Sequence, residues 1–372
     1  PVTIRIAPGT YNEIVPLVIP SHVSIIGEDM RNVIISPATG YESNDIFLLE
    51  DNTTIMNLTI KDFFYDSVND KGYGFKFNSQ AKISTRSPYI QNVTVITQGT
   101  PVTVTASSTF SVNAQETNPR GITFNNDGTK MFIVGTTGDD VNEYTLSTGF
   151  DLSSTVTFVD SFAVTQCPNP TAVKFNTDGT KMFVTGVGNS NVHEYALTTG
   201  FDVSTASFTQ TKVITVDNDM FGLDFKDDGT KMYITGNQND KIYEYNLSTA
   251  FDISTATFNQ DLNVNSIDDE PFGIEFSPDG HRLFIVGTKG NGVDEYRLQT
   301  AFNIATATHI GFVHTGGNPS GIHISPDGTK MFIVGNSTDI VKEYSLSVPY
   351  SIATAGTGLV LFEDDVNITN NL

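Results

Sequence analysis

The chain has no tryptophan, one cysteine and few cations: 20 Lys and Arg stand against 42 Asp and Glu, a formal charge of −22 over 372 residues. Each scarcity excludes something. Cys167 has no partner for an internal disulfide, so stability rests on packing and backbone hydrogen bonds, and the redox compartment stays open. The excess of acid, with no Lys/Arg cluster to override it, argues against a nucleic-acid partner. No apolar run approaches the roughly 18 residues that span a bilayer, and no signal peptide is visible. Charged residues amount to 17%, below the ~25% of ordinary soluble domains. Thr, Asn, Ser and Gly abound instead, a composition of strands and turns. The chain starts at Pro1 in an extended pattern and stops in mid-pattern at Leu372, so it reads as a piece of something longer.

What is present is repetition. Asp-Gly-Thr-Lys occurs at Asp127, Asp178, Asp228 and Asp327, with Asp-Gly-His-Arg at Asp279. Each copy runs in the same order. A Pro/Gly-containing segment (Asn118 to Ile122) leads to Asp-Gly and an apolar strand (Met131 to Val134). A Val-x-Glu-Tyr-x-Leu strand (Val141 to Leu146), a Phe-Asp corner (Phe150 to Ser153) and a Thr/Val-rich strand (Thr155 to Val164) follow. Asp-Gly supplies the hairpin, because Gly accepts positive φ and the Asp carboxylate bonds amides just ahead. The corner Asp caps the amides of the next turn, and weakens as a signal where copies four and five read Asn303 and Ser351. Four strands per ~50 residues without helical periodicity predict a β-propeller. Five copies predict five blades over residues 101–356. Val102 to Val112 matches the fourth strand of a blade yet precedes the first full copy, so it is expected to complete the fifth blade and remove an open sheet edge.

The runs Asn-Asp-Gly-Thr-Lys-Met-Phe-Ile-Val-Gly and Ser277-Pro278-Asp279-Gly280 resemble the Ser-Pro-Asp-Gly repeats of lactonase-like and related propellers across residues 102–355. That resemblance implies fold far more than function. Residues 1–100 follow another rule: short strands (Thr3–Ile6, Leu17–Ile19, Val23–Ile26, Val33–Ile35, Ile46–Leu49, Thr54–Met56, Leu58–Ile60) separated by Gly, Asn and Asp corners suit coils of a right-handed parallel β-helix. Ile4 to Glu13 and Val23 to Glu28 resemble the opening coils of pectin-lyase-like and pectin-methylesterase-like β-helices. Ser84 to Val95 is similar to coils in tail and fibre proteins of marine tailed phages. Gly358 to Phe362 with Val366 to Ile368 looks like Gly72 to Phe77 with Ala81 to Ile83, so residues 357–372 are expected to return to the β-helix, the propeller being an insertion. The fold class expected is all-β.

Candidate chemistry is sparse. The five Glu-Tyr pairs (Glu143/Tyr144, Glu194/Tyr195, Glu244/Tyr245, Glu295/Tyr296, Glu343/Tyr344) cannot serve one site, since neighbours in a strand face opposite ways. They are read as structural, Glu pairing the hairpin base (Lys130, Lys181, Lys231, Arg282, Lys330) or facing solvent and Tyr packing between blades. The loops leading into each first strand are better placed, at the expected mouth of a central channel. They carry Glu116, Asn118 and Arg120; Asn169; Asp217 and Asp219; Asp269 and Glu270; and Asn318, with Phe221 and Phe272 as apolar surface. Such oxygen ligands could hold Ca²⁺ or bond sugar hydroxyls; the alternative is that acidic loops only keep the rim soluble. The six His show no metal spacing, no Gly-x-Ser-x-Gly elbow exists, and Cys167 lacks a His partner. Asp62, Asp66 and Asp70 fall in a loop-like stretch and make no lyase site.

These observations lead to a non-enzymatic virion module of a tailed phage: a β-helix stem carrying a propeller that binds host-surface glycan or other virion proteins. The resemblance implies a trimeric stem. The expected setting is virion or extracellular, without membrane insertion or cofactor beyond Ca²⁺, and the charge suits a saline medium. The alternative is a secreted polysaccharide lyase or esterase whose active coils lie outside this sequence.

Overall fold

The computed structural model describes residues 2–29, 31–38, 41, 44–50, 52–61, 74–77, 89–96, 102–188 and 191–352. Asp62, Asp66, Asp70, residues 84–88, the Ala81 to Ile83 segment and 357–372 lie outside them. The chain divides into two units, the second being Val102–Ala353.

Among the described residues of the first unit every strand pairing is parallel. One sheet is built on Val2–Ile6, Val23–Gly27 and Thr54–Lys61, with Val33–Pro37, Gly9–Glu13 and Tyr89–Ile96 joining it. A second sheet aligns Leu17–Ile19, Phe47–Leu49 and Phe75–Phe77 in register. Between them sits an apolar core of Ile25, Val33, Ile35, Phe47, Leu49, Ile55, Leu58 and Ile60. Two details differ from the sequence reading. Gly9–Glu13 is a strand that alternation did not reveal, because backbone pairing to Val33–Pro37 holds it rather than a buried apolar face. Thr54–Met56 and Leu58–Ile60 form one strand, with Asn57 between them at φ 55°.

The second unit is a five-bladed β-propeller. Its blades are four-stranded and antiparallel, and their first strands are Pro119–Phe124, Pro170–Phe175, Met220–Phe225, Pro271–Phe276 and Pro319–Ile324. Each first strand lies against that of the next blade, and the fifth returns to the first, so the ring is closed. The apolar second strands (Lys130–Gly135 and its equivalents) bury both faces: Met131 faces the fifth blade's Phe332 and Val334, while Phe132 faces the second blade's Val173 and Met182. One such cluster fills each of the five wedges. That is why these strands read as unbroken apolar runs.

The expected clasp forms. Val104–Ser111 pairs antiparallel with Ile340–Leu346, from Val104 opposite Leu346 to Ser111 opposite Ile340. Thr103 N–H donates to Ser347 Oγ at 2.8 Å, and Ser347 N–H returns to Thr103 O at 3.1 Å. The clasp also carries the β-bulge found in the other four outer strands, opposite the Glu-Tyr step of the third strand.

Adjacent blades are clamped by the repeated ion pair. Lys130 Nζ meets Glu143 Oε1 at 2.7 Å and donates to Phe201 O, at the corner of the next blade, at 2.6 Å; Glu143 Oε2 accepts Val203 N–H from that corner at 3.0 Å. Lys181–Glu194, Lys231–Glu244, Arg282–Glu295 and Lys330–Glu343 repeat the pair. The glutamates are buried and paired, and Tyr144 packs edge-on against Phe110 of the neighbouring blade, as the structural reading expected. At the corners Asp151, Asp202 and Asp252 accept the amide two residues ahead, and Asn303 does so equally at 3.2 Å, since an amide oxygen serves as well as a carboxylate.

Candidate functional site at the propeller axis

The inner strands stack three levels of side chains along the axis. The middle level is Gly121, Ala172, Gly222, Gly273 and Gly321. A Cβ on Gly121 would come 2.7 Å from Thr171 O and 2.9 Å from the Ala172 Cα, so the backbones approach as closely as glycine allows. The space left there is about 10 Å³, room for one water at most. The expected central channel is therefore closed at its waist, and its two ends are separate.

At the hairpin end the equivalent positions hold Thr123, Lys174, Asp224, Glu275 and His323, five unlike residues from five blades. Lys174 Nζ bonds Glu275 across the axis and lies 3.2 Å from Asp224 Oδ1. Asp224 Oδ2 accepts Phe276 N–H at 2.9 Å. His323 Nδ1 lies 3.3 Å from Glu275 Oε1, out of line for a hydrogen bond, and its ring packs on Phe124 and Phe150 of the first blade. Burial opposes the Lys174 charge, but Asp224 and Glu275 more than offset it and hold its pKa above the usual lysine value. Burial also raises Asp224, despite Lys174 beside it, whereas Lys174 and His323 outweigh burial at Glu275 and lower it. A lysine held protonated between two carboxylates is no nucleophile, so the cluster is an ionic axle tying the blades together. The sequence reading missed it. The available signal was a buried strand position at which charge changes sign from repeat to repeat.

At the opposite end the equivalent positions are Arg120, Thr171, Phe221, Phe272 and Ser320. Thr171 and Ser320 are buried, and their hydroxyls donate to Met220 O and Pro119 O on neighbouring strands at 3.0 and 3.2 Å. Phe221 and Phe272 form a tilted pair, 4.4 Å between centroids. Arg120 is partly buried, and its Nε is shut from solvent without an acceptor. Burial lowers its pKa against the charge of Glu116.

The loop acids divide into two sets. Glu116 is buried and turned back on its own loops, accepting the N–H groups of Asn118, Thr137 and Gly138 at 2.6, 3.2 and 3.3 Å. Asp217, at the equivalent position, takes Asp219 N–H at 2.9 Å and Tyr243 OH at 2.9 Å. Asp268 takes Glu270 N–H at 2.9 Å, but its second oxygen is buried without a partner, and burial pushes its pKa up to about 6. Cys167 fills this position in the second blade, its thiol pushed by burial up to about 12. Asp219, Asp269, Glu270, Asn169 and Asn318 are exposed on the rim, and Asn118 is half-buried, its amide donating to Thr136 Oγ1 at 2.6 Å. Asp269 faces Lys289 at 3.6 Å. Among the described residues no three His, Cys, Asp or Glu side chains converge as metal ligands.

No family model matches the chain, and no curated protein matches it. Solved structures do. A functionally unknown protein from Desulfotomaculum acetoxidans aligns at 16% identity and a TM-score of 0.38, over 58% of this chain and 62% of that one. A candidate 6-phosphogluconolactonase from Bacteroides uniformis aligns at 16% and 0.41, over 60% and 65%. The chain thus spans less than two thirds of the length of either protein. The β-propeller domain of Cps50 (Swd1) from Myceliophteria thermophila aligns at 9% and 0.37, over 65% and 99%. No activity or ligand is transferred from them.

Proposed function

We propose that this chain is a non-enzymatic recognition module of a virion, part of a tail or fibre protein of a tailed phage, whose propeller takes host-surface glycan at the loop end of its axis. The observation that carries the ligand side is the Phe221–Phe272 pair standing level with an unpartnered Arg120. An aromatic face packs against the C–H face of a sugar, and a guanidinium together with rim carboxylates bonds its polar groups. Binding is favoured over catalysis because the acid and base groups of the axis are committed to one another or to loop amides. The loops vary between blades while hairpins and clamps repeat, as expected where a rigid scaffold carries variable contacts. The stem reading, a pectin-lyase-like β-helix, is supported by the parallel in-register stack of Leu17–Ile19, Phe47–Leu49 and Phe75–Phe77; its trimeric state in the parent rests on the resemblance alone.

The test is binding of the whole chain to host polysaccharide and to a glycan array. Binding that Phe221→Ala weakens and that Asp219→Ala with Glu270→Ala abolishes is the expected result. Binding untouched by all three changes would place the ligand on another face, and release of reducing or unsaturated sugars would make the chain an enzyme.

A further inference from the structure

We infer that the loop end of the axis is an oxyanion site: Arg120 receives the carboxylate or sulfate of an acidic sugar whose ring lies against the half-buried Phe221, which the buried Phe272 backs. This rests on the recognition reading above and adds the class of sugar.

The propeller's other basic residues are engaged. Lys130, Lys181, Lys231, Arg282 and Lys330 clamp blades. Lys174 is the axle, and Lys226, Lys241 and Lys289 pair with Asp228, Asp261 and Asp269. Lys212 and Lys342 donate to backbone carbonyls, and Arg297 also has a partner. Among the described residues of the propeller, Arg120 alone of the Lys and Arg makes no ion pair while its buried Nε lacks an acceptor, in a chain where acids outnumber bases twofold. Its Nε is sealed from solvent and so from a ligand, which leaves the two terminal Nη groups as the donors an oxyanion can reach. Glu116 is not that partner, because three amides hold it in place. Of the four equivalent positions, Thr171 and Ser320 spend their hydroxyls on carbonyls and the other two are phenyl rings, so the level offers one charge and one apolar face. Planar N–H donors in a fork suit a carboxylate or a sulfate.

The rim adds a constraint. Asp219 and Glu270 are exposed on the rim, and Asp269 beside them faces Lys289 at 3.6 Å, so the rim's net charge disfavours a long polyanion while its carboxylate oxygens remain acceptors for a sugar's hydroxyls. An isolated acidic sugar gains the short-range contact with Arg120.

Isothermal titration or saturation-transfer NMR on the full chain tests this with three probes: a methyl glucuronide, a galactose sulfate and the neutral methyl glucoside. The expected result is at least about tenfold tighter binding of one or both acidic sugars, a similar loss on Arg120→Gln, and partial retention in Arg120→Lys. Preference for glucuronide or for sulfate tells which oxyanion the fork accepts. Equal binding of neutral and acidic sugars, or acidic binding unchanged in a folded Arg120→Gln variant, overturns the oxyanion site. If that binding is nevertheless lost in Phe221→Ala, the glycan reading survives. No binding of any probe, together with no signal on the glycan array, removes both.

Discussion

Glu343 Oε2 accepts the Leu152 backbone N–H at 2.8 Å, joining the last blade to the corner of the first, while Lys330 Nζ holds Phe150 O at 2.7 Å from the same clamp. The seam of the ring is thus closed by the same pair of contacts that joins the first blade to the second and the third to the fourth, and the clasp strand adds to it.

Glu343→Ala should cost about 2–3 kcal/mol, because it strands Lys330 and a buried amide. Glu343→Gln keeps an acceptor for Leu152 and should lose less. Chemical denaturation of the two variants checks the order; equal stability to the parent would mean that the clamp is ornamental.

Removing residues 102–112 should lower and broaden the propeller's melting transition, since it bares the edge of Ile340–Leu346. Calorimetry would read both changes. An unaltered, equally sharp transition would refute the clasp as a stabilising element.

Gly128 and Gly188 separate two roles of glycine. Both have positive φ, 72° and 97°. A Cβ on Gly128 would overlap the Phe150 ring, whereas around Gly188 there is open space. Gly188→Ala should cost about 1–2 kcal/mol from backbone strain alone, and Gly128→Ala about 3 kcal/mol or more once the ring is displaced. Equal losses would show that the corner ring yields freely.

Asp268 gives a pH dependence. Its folded pKa, about 6, lies above the ordinary carboxylate value because of burial. Ionisation therefore disfavours the fold, and stability falls as pH rises from about 4 through 6. Asp268→Asn keeps an acceptor for Glu270 N–H and removes that penalty. It should gain about 2 kcal/mol at pH 8 and nothing at pH 4. A gain equal at both pH values would point to packing rather than charge.

The repeated residues made the ring legible. Asp-Gly hairpins, two-faced apolar strands and Glu-Tyr steps recur because every blade meets the same neighbours, and Val102 to Val112 betrayed its place by resembling Thr155 to Val164. The axis was illegible for the opposite reason. Thr123, Lys174, Asp224, Glu275 and His323 meet one another, so symmetry is broken there and no motif repeats. Glu116 and Asp217 looked available for a ligand because a sequence does not show that a carboxylate has turned back on the amide two residues ahead. Arg120, Phe221 and Phe272 were found from their loops, but their common level appears only once the inner strands are aligned.

The chain enters and leaves the propeller on adjacent strands, with Thr103 and Ser347 exchanging hydrogen bonds at the doorway. A fold whose two ends meet in this way is a cassette. Residues 102–352 could be spliced into a tight turn of an unrelated scaffold without prying it apart, and the graft would bring its own latch.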